Sequence, residues 1–280
     1  MFVHDDHRIR RPDLPEAGRT LESERMTFEY LGVDAAIQRR GLRMVVVGNV
    51  PSPWGEAAKG ICHVKRIPFA AVRLVYDNPA LERWAGQLSG PVAIYDDEVP
   101  RSGWAEILML AERLAPDPPL LPLEPEARGR ALLLADKFCG HGGLAWNRRL
   151  QLVHAGLQKT GGFGERVASY LGNKYGYDAA HSANYASRVR SLLRELGAAL
   201  REQRQAGPYY LGAKLSATDI YSATCMAMFM PLPESQCAMH PVSRAAFEWL
   251  DDETLAAIDP LMLEHRDMMY ARHLELPLSL

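Results

Sequence analysis

The sequence predicts an α+β protein, in which a domain built on a mixed β-sheet is followed by a domain made only of helices. Short apolar runs rich in β-branched residues alternate with helical patterns up to about residue 115, and no strand pattern follows. Between the two parts, residues 116–122 contain four prolines and are predicted to be a linker. At 280 residues the chain is long enough for each domain to bury its own core.

The first domain is predicted over residues 42–115, with the element order β-α-β-α-β-β-α. Its first strand is the apolar run 43–47. A helix begins after Ser52, because serine suits the N-cap and Pro53 suits the first helical position. The remaining elements are the strand 69–76, a short helix over 77–84, the strands 91–95 and 98–99, and a helix over 103–114. Because strands and helices alternate before a final hairpin, the sheet is expected to be mixed.

Two further regions complete the chain. Residues 123–280 show only helical patterns, which glycine and proline clusters divide. The predicted helices cover about 124–139, 144–158, 182–205, 217–229, 242–258 and 260–273. Residues 1–41 form a polar N-terminal extension that is rich in charged residues, with one short helix over 34–40 that ends at Gly41.

Composition and charge argue against several classes of protein. The net charge of −2 lacks the basic excess of a nucleic-acid-binding surface, and no apolar stretch approaches the roughly 20 residues of a membrane helix. The first residues are charged and lack the apolar core of a signal peptide. The spacing of the four cysteines fits neither a disulfide framework nor a metal site, which predicts reduced thiols in a cytoplasmic protein without bound metal.

Five sequence motifs occur in an order that is typical of one superfamily. They are Ser52-Pro53-Trp54, Arg66-Ile67-Pro68-Phe69, Gly90-Pro91-Val92, Leu110-Ala111-Glu112-Arg113 and the stretch from Tyr209 to Ile220. In this order they resemble the first helix, the approach to the second strand, the cis-proline loop, the end of the third helix and the helical-domain signature of the glutathione S-transferase superfamily. The ordered set is more specific than any one motif.

The resemblance implies a fold, a co-substrate and an assembly. The fold would be a thioredoxin-like domain at residues 42–115, a linker at 116–122 and an all-helical domain at 123–280. The co-substrate would be glutathione, used as in the serine-type members. The assembly would be a homodimer with the helix 103–114 and the first helices of the helical domain near the two-fold axis. The many apolar residues of that helix also favour burial against a partner.

Ser52 is the candidate catalytic residue. Its hydroxyl lies at a helix N-terminus, where backbone N–H groups and the helix dipole favour an anion. The resemblance implies that it donates a hydrogen bond to the thiolate of glutathione, so the nucleophile would be the co-substrate's sulfur. The alternative is that Ser52 is only an N-cap ahead of Pro53. Since neither Ser52 nor Gly55 is a cysteine, exchange through a protein mixed disulfide is not expected.

The resemblance also implies a set of glutathione-binding residues, which are Gly90, Pro91, Arg101 and Ser102. The peptide before Pro91 would be cis and would pair with the extended backbone of glutathione. Arg101 and Ser102 would contact the γ-glutamyl carboxylate at a helix N-terminus. The acidic or amide residue that precedes this serine in the family is absent. Asp96, Asp97 or a carboxylate from a second subunit could replace it, although a solvated turn is the simpler interpretation of both aspartates.

Two aromatic residues are candidates for substrate binding. Trp54 follows Ser52 closely, and Tyr221 lies on the predicted helix 217–229, from which it could reach the cleft between the domains. Tyrosines that are buried for structural reasons are, however, more common. Ser216 and Asp219, at the start of the same helix, have the spacing of a capping box and are interpreted as a folding element.

Three functions are consistent with these residues, because a fold does not decide a function. The first is an enzyme that activates glutathione for attack on a small electrophilic substrate of apolar or aromatic character. The second is a protein that binds a ligand without catalysis, and the third is a scaffold that uses the fold to dimerise. Ser52 and Pro91 favour the enzyme, whereas the altered γ-glutamyl position favours the non-catalytic protein.

Overall fold

A computed structural model describes residues 29–280 of the chain. The strands are β1 (Tyr30–Leu31), β2 (Leu42–Val46), β3 (Phe69–Arg73) and β4 (Val92–Tyr95). The helices of the first domain are α1 (Val33–Gln38), α2 (Pro53–Val64), α3 (Pro79–Ala85) and α4 (Trp104–Leu114). Those of the second are α5 (Pro125–Cys139), α6 (Leu144–Leu157), α7 (Glu165–Tyr175), α8 (Ser182–Gln203), α9 (Ala217–Met226), α10 (Pro241–Glu248), α11 (Asp252–Ala257) and α12 (Pro260–Arg272). The predicted architecture, a sheet domain followed by a helical domain, is confirmed.

The four strands form one sheet in the order β1-β3-β2-β4. β3 pairs in parallel with both β1 and β2, and β4 is antiparallel to β2. All five residues of β2 are buried, because this strand lies inside the sheet and helices cover both of its faces. The sheet is therefore mixed, as the order of the elements predicts.

Alternate residues of the strands face two separate cores, because successive side chains of a strand point to opposite sides. Met44 packs with α2 and α4 in a large core that continues into the helical domain. Val45 and Val72 point to the opposite face, where Ala36 of α1 and Leu81 of α3 cover them. The first domain therefore has three layers, with helices on both sides of the sheet.

The end of the predicted N-terminal extension belongs to this domain. β1 adds a strand to the sheet, with Tyr30 opposite Ala71 and Leu31 opposite Val72, and α1 packs on α3. Two residues are too few to show a strand pattern, so the sequence indicated only the helix of this segment. The sheet domain thus includes residues 30–41, and residues 1–28 of the extension lie outside the described residues.

One predicted strand is absent and one pairing replaces it. Residues 98–99 form no strand, because the chain turns at Asp96, whose φ is 47°, and Glu98 is used in side-chain contacts described below. The chain then returns beside β4 through a single bridge between Arg101 and Ala93. This bridge still places the start of α4 beside the start of β4.

The helical domain differs from its prediction at two places. The segment 242–258 is two helices, because the backbone is extended at Trp249 before Asp251 caps the second one. α7 is missing from the prediction; the segment is polar on average and buries only Ala168 and Gly172, although its few apolar residues do lie on one side of the helix. Within residues 29–280, no helix has both the length and the apolar character needed to cross a membrane.

The two domains meet where α2 packs against α9. Gly60 allows this close approach, because a Cβ at that position would lie 3.1 Å from Ile220 Cγ2 and 2.9 Å from Leu274 Cδ2. The C-terminal residues continue across the sheet domain, where Lys59 Nζ donates to the Ser279 carbonyl at 2.8 Å. Helix packing and the end of the chain together hold the domains in contact.

α4 buries most of the apolar surface that suggests a dimer. Ile107, Leu108 and Leu110 are buried within the chain, in the core shared with the helical domain. Met109 on α4 is 45% exposed and Leu133 on α5 is 57% exposed. The apolar face left for a partner is therefore smaller than the composition of the helix indicates.

Candidate active site

Three segments of the first domain converge at one end of the sheet. β2 leads to Ser52 at the start of α2, and β4, which runs the opposite way, begins directly after Gly90-Pro91. Arg101 pairs beside β4 and leads through Ser102 to the start of α4. Because β2 and β4 are antiparallel, the end of one strand and the start of the other bring these segments together. The predicted serine and proline therefore lie at the same end of the sheet.

Ser52 occupies the N-cap position of α2, but its side chain does not cap the helix. The backbone is extended, and the Ser52 carbonyl accepts the first helical hydrogen bond from the Glu56 amide at 2.8 Å. The half-buried hydroxyl makes no capping hydrogen bond, and no other polar partner of this side chain occurs within residues 29–280. Gly55 lies close by, and a Cβ there would lie 4.0 Å from Ser52 Oγ. The hydroxyl is thus left without a partner among the described residues.

The Gly90-Pro91 peptide bond is cis, as the resemblance implies. Gly90 lies directly on the backbone of β2, and a Cβ at this position would lie 3.4 Å from both the Val45 carbonyl oxygen and the Val47 nitrogen. The absence of a side chain therefore allows the loop to sit against the strand that leads to Ser52.

Arg101 is engaged within the chain. Its guanidinium donates to Glu98 Oε2 at 2.7 Å, and Arg113 of α4 donates to the same oxygen at 2.7 Å. The hydrogen bonds from Arg113 and Arg101 lower the pKa of the Glu98 carboxyl. A ligand carboxylate would have to compete with Glu98 for Arg101.

The start of α4 is likewise closed by a side chain of the same helix. The amides of Ser102 and Gly103 donate to Glu106 Oε2 at 3.2 Å and 3.0 Å. Glu106 is exposed, so a ligand carboxylate could displace it without opening the core. The donors that the resemblance assigns to the γ-glutamyl carboxylate are thus engaged by two carboxylates of the chain itself.

Asp96 and Asp97 lie at the opposite end of the sheet. Asp96 Oδ1 accepts from the Gly41 amide at 2.8 Å, and Asp97 forms an exposed ion pair with Arg40. Both partners precede β2, whose five residues separate them from Ser52 by roughly 16 Å. Neither aspartate replaces the missing acidic residue within the same chain.

Trp54 joins the first domain to the helical domain. It lies in the first turn of α2, and its indole Nε1 donates to the Cys139 carbonyl at the end of α5, at 2.7 Å. The guanidinium of Arg149, on α6, lies over its ring at 4.1 Å from the centroid. The half-buried indole is therefore fixed in the first turn of α2, two residues after Ser52.

Tyr221, a predicted substrate-binding residue, is more deeply buried than a residue that lines the cleft between the domains would be. It is 1% exposed, its hydroxyl donates to the Trp104 carbonyl at 3.1 Å, and the two rings meet edge to face at 5.5 Å. Burial raises the pKa of this phenol well above its usual value. Tyr221 packs α9 against the start of α4 and is buried there.

Sequence reasoning missed the side chains that gather around Trp54 and around the loop before Pro91. They are Tyr76, Trp146, Arg149, Lys174 and Tyr175. One signal was present, because Trp146 and Arg149 have the i, i+3 spacing that places two residues on one face of a helix. Which face of α6 points to Trp54 depends on how the domains pack, and no local pattern indicates this.

The chemistry of the site is that of an anion-stabilising hydroxyl. Ser52 and the first amides of the twelve-residue helix α2 favour a negatively charged atom. The protein's own thiols are poorly placed to be that atom, since all four cysteines are buried, and burial raises the pKa of Cys62 on α2 to about 12. A thiolate at this site would have to come from a ligand.

No protein-family model and no curated protein matches the sequence, whereas many solved structures match the fold. A glutathione transferase family member from Pseudomonas fluorescens Pf-5, with two glutathione bound, is 12% identical and has a TM-score of 0.59. The alignment covers 86% of this chain and 94% of that one. A glutathione S-transferase from Methylobacillus flagellatus KT, with glutathione bound, is 15% identical, with a TM-score of 0.59 and coverage of 83% and 96%.

A third similar structure is the theta class glutathione S-transferase of Xanthomonas axonopodis pv. citri, with glutathione bound. It is 16% identical, has a TM-score of 0.54, and is matched over 84% of this chain and 94% of its own. The chain therefore has the fold of the glutathione transferase superfamily, with a thioredoxin-like first domain and a helical second domain. At these identities the similarity concerns the fold alone.

Proposed function

We propose that the protein is a glutathione transferase of the serine type, in which Ser52 activates glutathione for attack on a small electrophile. The observation that carries the proposal is the half-buried Ser52 hydroxyl, which has no partner among the described residues. A serine that served only as an N-cap would place its oxygen on one of the first amides of the helix. Glutathione in structures of the same fold supports it as the co-substrate.

In the proposed reaction, Ser52 donates a hydrogen bond to the sulfur of glutathione, and the α2 amides add positive potential. Both effects lower the pKa of the thiol from its usual value near 8.5, and its proton passes to solvent. The thiolate then attacks the electrophilic carbon. A C–S bond forms, and the leaving group departs with the electron pair of the bond that breaks.

Titration calorimetry with glutathione tests the binding step. Saturable heat is expected at ligand concentrations up to the millimolar range. If no heat of binding is observed there, the proposed co-substrate is wrong.

Ser52→Ala tests the chemical step. One hydrogen bond to a charged group contributes about 1.5–3 kcal/mol, so kcat/KM with 1-chloro-2,4-dinitrobenzene should fall about tenfold to hundredfold. The apparent pKa of the pH–rate profile should rise, because less of the bound thiol is ionised at a given pH. Ser191→Ala, which changes an exposed serine of α8, is the matched control. If the rate and the pH–rate profile of Ser52→Ala are unchanged, Ser52 has no catalytic role and is only the N-cap residue of α2.

A second function, ligand binding without catalysis, is favoured by the start of α4. Glu98 and Glu106 engage the donors that a γ-glutamyl carboxylate would need. Glu106→Gln weakens this competition, so the variant should bind glutathione more tightly if glutathione uses these amides. If neither the wild type nor the variant binds glutathione, the non-catalytic function is the better one.

We also propose a homodimer with α4 and α5 near its two-fold axis. These helices are neighbours, as the contact between Arg128 and Met109 Sδ shows, and each exposes a large apolar residue, Met109 and Leu133. Two-fold pairs are the commonest homo-oligomers, and the partner could supply a carboxylate at the start of α4. Light scattering should give twice the chain mass of 31.2 kDa, and Leu133→Asp should reduce it. A mass of 31.2 kDa for the wild type at micromolar concentration rules the dimer out.

We place the protein in the cytoplasm. Cys139 Sγ and Cys225 Sγ lie 3.6 Å apart in the core, and both cysteines are free thiols. Such a pair fits a reducing compartment, because thiols in contact are readily oxidised elsewhere. Titration of the freshly isolated, denatured protein should count four thiols per chain, and a count of two would contradict this location.

A further inference from the structure

Two cations lie among aromatic side chains at the junction of α2, α6 and α7. We call this group the cationic aromatic cluster. It consists of Trp54, Tyr76, Trp146, Arg149, Tyr170, Lys174 and Tyr175. Tyr76 and Tyr170 form its outer edge, at 37% and 44% exposure, and the other members are half-buried. The cluster therefore reaches the protein surface at these two rings.

Arg149 is the centre of the cluster, and its charge faces rings instead of carboxylates. Its guanidinium lies 3.8 Å from the ring centroid of Tyr175, 4.1 Å from that of Trp54 and 5.4 Å from that of Trp146. Within residues 29–280 it makes neither an ion pair nor a hydrogen bond. Burial lowers the pKa of Arg149 to about 10, and no carboxylate contributes to the shift.

This environment leaves the hydrogen-bonding edge of Arg149 unused. A guanidinium stacked on aromatic rings is stabilised through its faces, whereas its five N–H groups point outward in its own plane. A cation with this degree of burial normally has an acidic partner, because desolvation without one is unfavourable. The guanidinium edge of Arg149 therefore lacks the acidic partner that a group from outside the chain could supply.

Lys174 adds a second positive charge on the side of the cis-proline loop. Its Nζ donates to the Leu88 carbonyl at 2.6 Å, two residues before Gly90, and lies 4.8 Å from the ring centroid of Tyr76. It forms no ion pair within the described part of the chain. Asp77 is an acidic residue near the cluster, and it acts on Tyr170. The pKa of Tyr170 is raised mainly by burial, and to a smaller extent by Tyr175 and Asp77.

The cluster begins next to the proposed thiolate site. Trp54 follows Ser52 by two residues in the first turn of α2, and its hydrogen bond to Cys139 fixes the orientation of the indole. Arg149 stacks on this indole. A flat ligand that reaches from the sulfur at Ser52 toward Arg149 would therefore lie along aromatic surfaces throughout.

We propose that the substrate of this enzyme is a planar, aromatic electrophile that carries a carboxylate. The carboxylate binds the free edge of Arg149, with Lys174 close by, the ring lies along the aromatic side chains, and the reacting carbon faces Ser52. Arginine suits this role because its planar fork binds carboxylates through two parallel hydrogen bonds. The inference rests on the proposed glutathione transferase function.

A matched pair of substrates tests the charge preference. In 4-chloro-3-nitrobenzoate the thiolate adds to the carbon that bears chlorine, the ring and nitro group hold the extra charge, and chloride then leaves with its electron pair. In 4-chloro-3-nitrobenzamide the carboxylate is replaced by a neutral group of the same shape. Each kcat/KM is divided by the rate constant of the uncatalysed reaction with glutathione, which removes the difference in intrinsic reactivity.

We expect the wild type to prefer the benzoate by about tenfold or more, because hydrogen bonds to charged groups are worth about 1.5–3 kcal/mol. Arg149→Gln should abolish this preference, and Arg149→Lys should keep part of it, since the charge remains and the fork is lost. Arg194→Gln removes an exposed arginine of α8 that has no described partner, and it should keep the full preference. Thermal unfolding checks that each variant is folded.

Two results would overturn the inference. One is a wild type without preference for the benzoate, and the other is an equal loss of both rates in Arg149→Gln. If Arg149→Gln weakens binding of glutathione but not of its glycine ethyl ester, and keeps the benzoate preference, the carboxylate at Arg149 is glutathione's own and the substrate assignment is wrong.

A binding measurement without glutathione separates this inference from the proposed function. The nitro group quenches tryptophan fluorescence, so titration of the wild type with 3-nitrobenzoate and 3-nitrobenzamide reports binding near a tryptophan, and Trp54 and Trp146 are the two in the cluster. Tighter binding of the benzoate that disappears in Arg149→Gln supports the carboxylate site, even if no glutathione is turned over. Equal binding of the two compounds contradicts it, even if the enzyme is active.

Discussion

α2 and α9 both begin at a serine, yet their N-termini are built in opposite ways. At α9, the Asp219 carboxylate accepts from the Ser216 amide at 2.9 Å, from the Ser216 hydroxyl at 2.8 Å and from the Tyr210 amide at 2.8 Å. His265 Nε2 lies 3.0 Å from the same carboxylate, and Asp219 is fully buried. At α2, the Ser52 hydroxyl is half-buried and has no described partner.

The difference separates a folding element from a candidate site. Every helix leaves unpaired amides at its start, and either the chain or a ligand can satisfy them. At α9 the chain itself supplies partners, since the Ala217 amide donates to the Leu120 carbonyl at 2.8 Å and the Asp219 amide to the Ser216 carbonyl at 3.1 Å. The buried Ser216–Asp219 box therefore stabilises the core. At α2 the first position is a proline and the serine points away from the amides, which leaves a donor and a positive potential at the surface.

The largest effect on stability is expected from a substitution at the start of α9, where Asp219 forms the buried capping box. Asp219→Asn keeps the shape of the side chain, but it removes a buried charge and replaces one acceptor oxygen with an NH2 group that faces the existing donors. Loss of one member of a buried, charge-assisted network costs about 3–5 kcal/mol, so the free energy of unfolding should fall by about that amount. Urea denaturation followed by circular dichroism measures it.

The control for this variant is Glu264→Gln, which neutralises an exposed acid on α12, next to His265 in sequence. It should change stability by less than about 0.5 kcal/mol. If the two variants are equally stable, the buried box does not have the stabilising role that its hydrogen bonds indicate.

A smaller effect is expected from replacing the two serines. Ser216→Ala removes a buried hydroxyl that donates to Asp219, and it should cost about 1–2 kcal/mol of stability. Ser52→Ala should cost less than about 0.5 kcal/mol, because this hydroxyl makes no capping hydrogen bond. Thermal unfolding of both variants gives the comparison directly. A stability loss in Ser52→Ala that equals that of Ser216→Ala would show that Ser52 caps α2 in solution.

The smallest expected effect is the contribution of His273 to the pH dependence of stability. Desolvation, and then Arg272, lower the pKa of His273, whose Nε2 lies 2.8 Å from the Tyr209 hydroxyl. Below the ordinary value of 6.5 the unfolded chain binds a proton that the folded chain does not. The contribution of His273 is therefore present at neutral pH and is lost as the pH falls through the lowered pKa of the folded state.

His273→Gln removes this titration and can still hydrogen-bond Tyr209. Urea denaturation at pH 5, 6 and 7 should show a weaker loss of stability in acid for the variant than for the wild type. A parallel decline of both proteins would mean that other groups cause the acid sensitivity.

Much of the fold follows from patterns within a few residues. The Ser52-Pro53 helix start and the box at Ser216 each depend on neighbours in sequence, and each occurs where it is predicted. The strand β1 and the helix α7 do not follow in this way. β1 has two residues and becomes a strand only through β3. α7 is polar on average and buries only Ala168 and Gly172, so its narrow apolar side is easily missed in the sequence.

The candidate site likewise combines features that are local in sequence with features that depend on the tertiary structure. By itself the sequence determined that a serine begins α2 and that a glycine–proline pair precedes β4, because both are local features of the chain. Only the tertiary structure decided that Glu98 and Glu106 engage the donors near α4, and that Arg149 reaches Trp54, from which ninety-five residues separate it. Contacts at this distance depend on how helices pack against the sheet, and a pattern of neighbouring residues carries no information about which faces will meet.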